Sequence, residues 1–322
     1  MNELTRDEWV PMISKEFMDC RDMNSLILKL HLIVQLRRFE GVIPYCVDAA
    51  RYRAKQLDPH PGVTTVVDGE GVLCAAGFAC QRIESTPTAV IDMLKKIWKA
   101  TLPTHFIVAF DDDRRFKREK FPEFKANKKP NPRKDAIDAI KPEVIKQVRD
   151  KNIQVEVVEG YEADDVLATV ATQCQLIGHE CVMATEDKDC WQALGPNTTI
   201  YSRSKDAFYG VQWLKTEHKI TPAQVVDWLI FEGKNGVPKP EGIAGGIASN
   251  LLEAYGTFLQ ILESDKLTPA KRKAMEAVDY WKLREIHTLN RELSIGRTKY
   301  TPHDAVRPGH NQERAEEQVQ PA

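Results

Sequence analysis

Four short apolar or β-branched runs constrain this chain most, because each is followed by carboxylates and separated from the next by helical spacing. Val63-Thr64-Thr65-Val66-Val67 runs into Asp68, and His105–Phe110 (HFIVAF) runs into Asp111-Asp112-Asp113. Ile153–Val158 leads to Glu162-Ala163-Asp164-Asp165, and Glu180–Thr185 leads to Glu186-Asp187-Lys188-Asp189. Thr88–Leu102, Lys134–Lys151 and a segment from Ala163 to Leu176 carry apolar residues at helical spacing, and a short helix is expected after the fourth run. Strands alternating with helices predict an α/β fold, a parallel sheet flanked by helices. Ligands of such sheets bind outside the carboxyl ends of the strands, so all four expected strands bring acids to one edge.

Crowded carboxylates repel and raise one another's pKa. They stay ionised together only around cations, and hard oxygen donors at a partly open site suit Mg²⁺ or Mn²⁺. Taken singly, each acid also suits a helix cap or a solvated turn, Asp164 and Asp187 among them. Asp112, Asp113 and Glu186 read as surface residues.

The segment Arg114–Lys134 (RRFKREKFPEFKANKKPNPRK) holds ten Lys or Arg and two Glu, a local net of +8 in a chain whose total is −2. Phe116, Phe121 and Phe124 are interleaved, and the segment starts directly after the second acid group. Cationic steering plus stacking surfaces beside a metal site fit a phosphate backbone and its bases; a solvated loop is the plainer alternative.

The rest of the chain frames this region. Residues 1–62 read as a helical extension, with Leu26, Leu30, Ile33 and Leu36 at helical spacing and a linker at Pro59-His60-Pro61-Gly62. No chemistry attaches to the extension. The core is expected over 63–220 and a helical region over 221–300, opened by the start signal Thr221-Pro222. The polar tail, 301–322, reads as disordered. No apolar run approaches the ~20 residues of a membrane span, and the N-terminus lacks a basic stretch leading into an apolar one. Seven Cys without a C-x-x-C pair read as reduced thiols of a cytoplasmic protein. A dinucleotide fingerprint is absent, since Gly69-x-Gly71 lacks its third Gly. There is no G-x-S-x-G, and the scattered His, such as His105 and His179, read as structural.

The motifs are similar to those of a known family. GYEADDVLAT (Gly160–Thr169) matches a G-x-E-A-D-D-V segment, and ATEDKDCWQAL (Ala184–Leu194) is similar to T-G-D-K-D-x-x-Q-L. VVDGEG (Val66–Gly71) resembles a first-strand V-D-G, and AFDDDRRFKREKFPEFKANKKP (Ala109–Pro130) resembles F-D followed by F-R-…-Y-K-x-x-R. Over about 63–260 the chain resembles the 5′-nuclease family, meaning the 5′→3′ exonuclease domain of bacterial DNA polymerase I and the phage and free-standing flap endonucleases. The resemblance implies a PIN-like 5′-nuclease core with a C-terminal helix–three-turn–helix. It also implies divalent-metal-dependent hydrolysis of DNA near 5′ ends, flaps or branches, in replication and repair, by a monomer.

By position, the resemblance makes Asp68, Asp111, Glu162, Asp164, Asp187 and Asp189 ligands of a first ion or of its waters. Asp165 is a further ligand or a buried support. Lys125 takes the Lys that stabilises charge on the scissile phosphate, and Phe124 takes the aromatic before it. Lys117, which is the aligned residue, or Arg118 takes the family's Arg role, although Lys lacks the bidentate fork. Arg114, Arg115, Lys120, Lys128 and Lys129 are expected to contact DNA. So are Gly242, Ile243, Gly245 and Gly246 in the turn, where K⁺ is a further expected ion.

One departure is serious. Where the family reads G-D-S-S-D-N-I-P-G-V-P-G-V-G-x-K-T-A, this chain reads Gly233-Lys234-Asn235-Gly236-Val237-Pro238-Lys239-Pro240-Glu241-Gly242-Ile243-Ala244-Gly245-Gly246-Ile247-Ala248. Both Asp of the second metal pair are missing, and Asp227 is not a clean replacement. A two-metal mechanism needs ligands for both ions. A weakly active or inactive relative that binds branched DNA therefore stays open, as does a related RNA-cleaving nuclease. The complete first cluster argues for retained cleavage.

Overall fold

The computed structural model describes residues 15–35, 43–57, 62–113, 115–122, 130–233 and 237–295. After a helical stretch at 15–18, the described chain forms α1 (Met23–Gln35) and α2 (Ile43–Leu57). The core then runs β1 (Val63–Asp68), α3 (Gly69–Ala79), α4 (Thr86–Thr101), β2 (His105–Ala109), α5 (Arg115–Lys120), α6 (Pro132–Arg149) and β3 (Gln154–Glu156). It continues through α7 (Ala163–Ile177), β4 (Glu180–Ala184), a 3₁₀ helix (Lys188–Ala193), β5 (Thr198–Ser202), β6 (Ala207–Tyr209) and α8 (Val211–His218). The helical remainder comprises α9 (Val225–Glu232), α10 (Gly245–Tyr255), α11 (Phe258–Glu263), α12 (Pro269–Glu276) and α13 (Tyr280–His287).

The six strands form one sheet in the order β3-β2-β1-β4-β5-β6. All pairings are parallel except β5 with β6. Period-2 alternation sorts the strand residues between two cores. Val66, Ile107, Ala109, Cys181, Met183 and Ile200 pack against α7 and the C-terminal helices. Val67, Phe106, Val108, Val182, Ala184 and Tyr201 face the opposite way, among side chains of α3, α4 and α6. The strands lie between two helical layers, so their near-continuous apolar runs are what a doubly covered parallel sheet requires.

Several elements depart from the sequence expectation. The third strand is shorter, Gln154–Glu156 rather than Ile153–Val158. Strands β5 and β6 carry little sequence signal: β6 spans only three residues, and β5 (TTIYS) lacks the continuous apolar run of β2 and β4. Helix α3 was also missed, because Gly69, Gly71 and Gly77 dilute its apolar run. The 3₁₀ turn at Pro222–Gln224 starts as its sequence indicated, with Thr221 and Gln224 forming a capping box.

In the extension, Phe17, Leu26, Leu30, Cys46, Ala50 and Ala54 pack against Ile177 at the end of α7. Arg51 donates from Nε to the Leu176 carbonyl and from an Nη to the Gln175 carbonyl, both at 3.2 Å, so it caps the last carbonyls of the helix, the second of which also accepts from the Gly178 amide. Gly178 ends α7 in the left-handed region (φ 76°). The extension therefore braces the far end of the helix whose first turn carries Asp164 and Asp165. The linker at 59–61, Leu36 and the tail at 301–322 lie outside the described residues, and the side chain of Ile33 is likewise not described. All seven cysteines are free thiols, and no described helix is long and apolar enough to cross a membrane.

Leu30 is 1% exposed within the extension's core. Leu30→Ala is expected to lower the unfolding free energy by about 3 kcal/mol, the usual cost of a core Leu truncation, as read by urea denaturation.

Candidate metal centre and nucleic-acid interface

The strand order reverses at β1 and β4, which run side by side while their partners continue outward on either side. At such a switch point the connections diverge and leave a crevice at the carboxyl ends of the strands. Asp68 ends β1, Asp111 follows β2, and Asp187 and Asp189 follow β4. Asp164 reaches the same place from the first turn of α7. One carboxylate oxygen from each of Asp164, Asp187 and Asp189 lies within 4.8 Å of the others. Asp68, Asp187 and Asp189 line a cleft of about 530 Å³ together with Trp228 and Glu232.

Backbone donors hold these acids in place. Asp68 caps α3 by accepting from the Gly71 amide at 2.7 Å, and its second oxygen accepts from Thr185 Oγ1 at 3.2 Å. A Cβ at Gly71 would lie 2.4 Å from Asp68 Oδ2, so the G-E-G of the first motif makes room for the acid. Asp111 accepts from the Ala163 amide at 2.8 Å. Asp187 caps the 3₁₀ helix by accepting from the Asp189 amide at 2.9 Å. The Cys190 thiol points at Asp164 Oδ1, 3.6 Å away. Thr185 and Cys190 were not singled out in the sequence; their signal was position, one just before and one just after the acids of the fourth strand.

The electrostatics are strained without a cation. Loss of water, then the charges of Asp111 and Asp187, push the Asp68 carboxyl up to about 7. Burial, then Asp187, Asp68 and Asp189, raise Asp164 well above the carboxylate range. A cluster of hard oxygens that resists ionisation by itself is a donor set that fits a divalent cation.

Glu162 and Asp165 stand apart from the convergent trio. Lys117 Nζ donates to Glu162 Oε2 at 2.6 Å and lies 3.8 Å from Asp165 Oδ2. Burial alone lowers the Lys117 pKa, but Asp165 and Glu162 outweigh it and hold the ammonium above its ordinary value. Both Asp165 oxygens accept backbone amides, from Glu162 at 3.2 Å and from Asn290 at 2.8 Å. Through these two oxygens Asp165 ties the start of α7 to the C-terminal segment. Between Lys117 and Arg118, Lys117 enters the acid layer while Arg118 is exposed.

The expected DNA contacts divide. The basic stretch is partly helical in α5, and Arg115 pairs with Glu159 at 2.5 Å. Lys120 pairs with Glu285. Phe116 packs at a tilt against Tyr161, with ring centroids 4.9 Å apart, and Phe121 is buried. Arg114, Phe124, Lys125, Lys128 and Lys129 lie outside the described residues. In the turn, Gly242, Gly245 and Gly246 are exposed while Ile243 is buried beneath them. Asp227 serves neither site. It is 1% exposed and accepts from the Phe258 amide, the Tyr280 hydroxyl and Arg284 at 3.0–3.1 Å, joining α9 to α11 and α13.

Comparison with known proteins agrees with this layout. Residues 64–226 match the family model described as 5′-3′ exonuclease, N-terminal resolvase-like domain. The chain belongs to that family. It is 29% identical over 229 residues to DNA polymerase I of Caldicellulosiruptor bescii, covering 66% of this chain but only 27% of the polymerase. It is 26% identical over 223 residues to the flap endonuclease Xni of Cronobacter sakazakii, covering 66% of this chain and 88% of that protein. The fold is similar to that of the phage T5 flap endonuclease solved as a pseudo-enzyme–product complex with DNA and metal ions. That match has a TM-score of 0.57 and 19% identity, and it covers 71% of this chain and 89% of the phage protein.

The raised carboxyls set the sign of a pH effect. Asp68 and Asp164 bind protons more tightly folded than unfolded, so their contribution to stability is full below the unfolded carboxylate pKa and is lost as pH rises toward about 7. The melting temperature of cation-free protein is expected to fall between about pH 5 and pH 8. Mn²⁺ is expected to raise it more at the upper end, and Asp68→Asn to flatten the slope, in thermal melts with and without the ion.

Proposed function

We propose that this protein is a divalent-metal-dependent 5′ nuclease acting on DNA 5′ ends, flaps or branches. The observation that carries the reading is the convergence of Asp164, Asp187 and Asp189 at the switch point, with Asp68 in the adjoining cleft. Asp164, Asp187 and Asp189 would hold the ion, Mg²⁺ or Mn²⁺, with Asp68 and Asp111 orienting its waters. When bound, such an ion polarises a phosphoryl oxygen and lowers the pKa of a water attached to it.

The chain's own groups supply the rest. Thr185 fixes the Asp68 carboxylate, and Lys117 offsets the charge of Glu162 and Asp165 so that the start of α7 tolerates so many acids. The exposed Gly242–Gly246 turn offers backbone amides to duplex phosphates, with K⁺ as a bridging ion. Lys125 would steady charge on the scissile phosphate, and Arg114, Lys128 and Lys129 would steer the strand toward the cleft. The seven free thiols fit a reducing compartment such as the cytoplasm, and the reading takes the monomer as the working unit.

The second reading, a weakly active or inactive DNA-binding relative, draws on the absence of any Asp between Gly233 and Ala248. A 5′-labelled flap duplex, its RNA counterpart and Mg²⁺ or Mn²⁺ separate the possibilities. Cleavage of the DNA flap is expected. Asp187→Ala should lower kcat/KM by about 10³-fold, equivalent to ~4 kcal/mol of transition-state stabilisation. Tight flap binding with no product under either ion would move the protein to the second reading.

A further inference from the structure

The stretch where the family carries the second cation's acids contains a single carboxylate here, Glu241, which is exposed. We propose that Glu232, the last residue of α9, supplies the missing carboxylate and divides its time between the cation site and the turn ahead of α10. The inference rests on the metal-dependent reading above and extends it to how the second ion is held.

Two observations meet at this side chain. Glu232 lines the same cleft as Asp68, Asp187 and Asp189. Its Oε1 also accepts from the Gly245 amide at 2.5 Å. Gly245 is the first residue of α10, an eleven-residue helix, and its φ of +53° turns the chain into that helix. Open space lies around Gly245 and Gly246: beyond the adjoining backbone, no heavy atom lies within 4 Å of where a Cβ would stand. Amides at the start of a helix favour an anion, and Glu232 is the anion that occupies this one.

A backbone phosphate of DNA approaching the turn competes for the same amide. Once the phosphate takes the Gly245 N–H, the Glu232 carboxylate is released beside a cleft it already lines, where a cation held by Asp187 and Asp189 attracts it. The Lys239 ammonium donates to the Glu232 main-chain carbonyl at 2.9 Å, so the end of α9 stays fixed while the side chain turns. Docking of substrate and completion of the second cation site are thereby one event, and a chain without the Asp pair assembles its full ligand set only on DNA.

The test is Mn²⁺ binding by the full chain, followed through the electron paramagnetic resonance of free Mn²⁺, with and without a 5′-flap duplex of non-hydrolysable linkages. Wild type is expected to hold one ion tightly alone and a second when the duplex is added. Glu232→Gln keeps an oxygen for the Gly245 amide, so its melting temperature should stay at the wild-type value. It should retain the first ion and weaken the second by about tenfold or more. Asp187→Ala should lose the first ion. Equal affinity of Glu232→Gln and wild type for the second ion, or a wild type that takes up only one ion on DNA, overturns this inference and leaves the first site standing. A wild type that takes up no Mn²⁺ in either state overturns the metal-dependent reading as well.

Discussion

Repulsion among partly desolvated carboxylates is the constraint to which the rest of this structure answers. Asp68, Asp164, Asp187 and Asp189 come from three separate parts of the chain and meet where the sheet reverses direction. Their raised affinity for protons is the cost of that meeting in the absence of positive charge. The surroundings are arranged to keep the acids aimed despite it. The Gly71 amide and the Thr185 hydroxyl hold the two oxygens of Asp68, the Ala163 amide holds Asp111 and the Asp189 amide holds Asp187, which restrains these side chains against repulsion. Lys117 offsets the two acids behind the trio, which leaves the trio as the unbalanced charge that a cation can satisfy.

Holding repelling groups together demands rigid supports, and these come from outside the sheet. The 3₁₀ helix bearing Asp189 rests on an aromatic floor in which Trp191 packs against Trp228 at 5.4 Å, Trp213 at 5.1 Å and His218 at 4.5 Å. Helix α7 is secured at both ends, by Asp165 on the Asn290 amide at its start and by Arg51 on its last carbonyls. Asp227 joins α9 to α11 and α13, so α9, which carries Glu232 to the cleft, is fixed to the helical region that carries the turn. The family relationship explains the shared layout. The chain spans most of a free-standing flap endonuclease of the family but about a quarter of DNA polymerase I.

The parts of the fold legible from sequence were those with a continuous apolar run or a sustained helical period. β1, β2, β4, α4, α6 and α7 lie where apolar spacing placed them, and the acids fall at strand ends as expected. β5, β6 and α3 are less legible because a polar strand, a three-residue strand and a glycine-diluted helix carry little apolar signal. Within the candidate site, the E-A-D-D and D-K-D segments supply the three acids that converge, without ranking their neighbours. Asp164 and Asp165 are adjacent in sequence, yet helical geometry turns one toward the crevice and buries the other against backbone amides. Lys117 and Arg118 divide in the same way, one entering the acid layer and one facing solvent.

By itself the sequence determined the class of sheet, the edge at which its acids gather, the family, and the loss of the usual second Asp pair, because each is a matter of local pattern or residue identity. Tertiary structure alone decided which acids converge, that Thr185 and Cys190 reach them, and that the N-terminal extension braces α7. It also decided that Glu232 sits between the cleft and Gly245. These depend on distances between residues far apart in the chain, and periodicity carries no information about where two such segments cross.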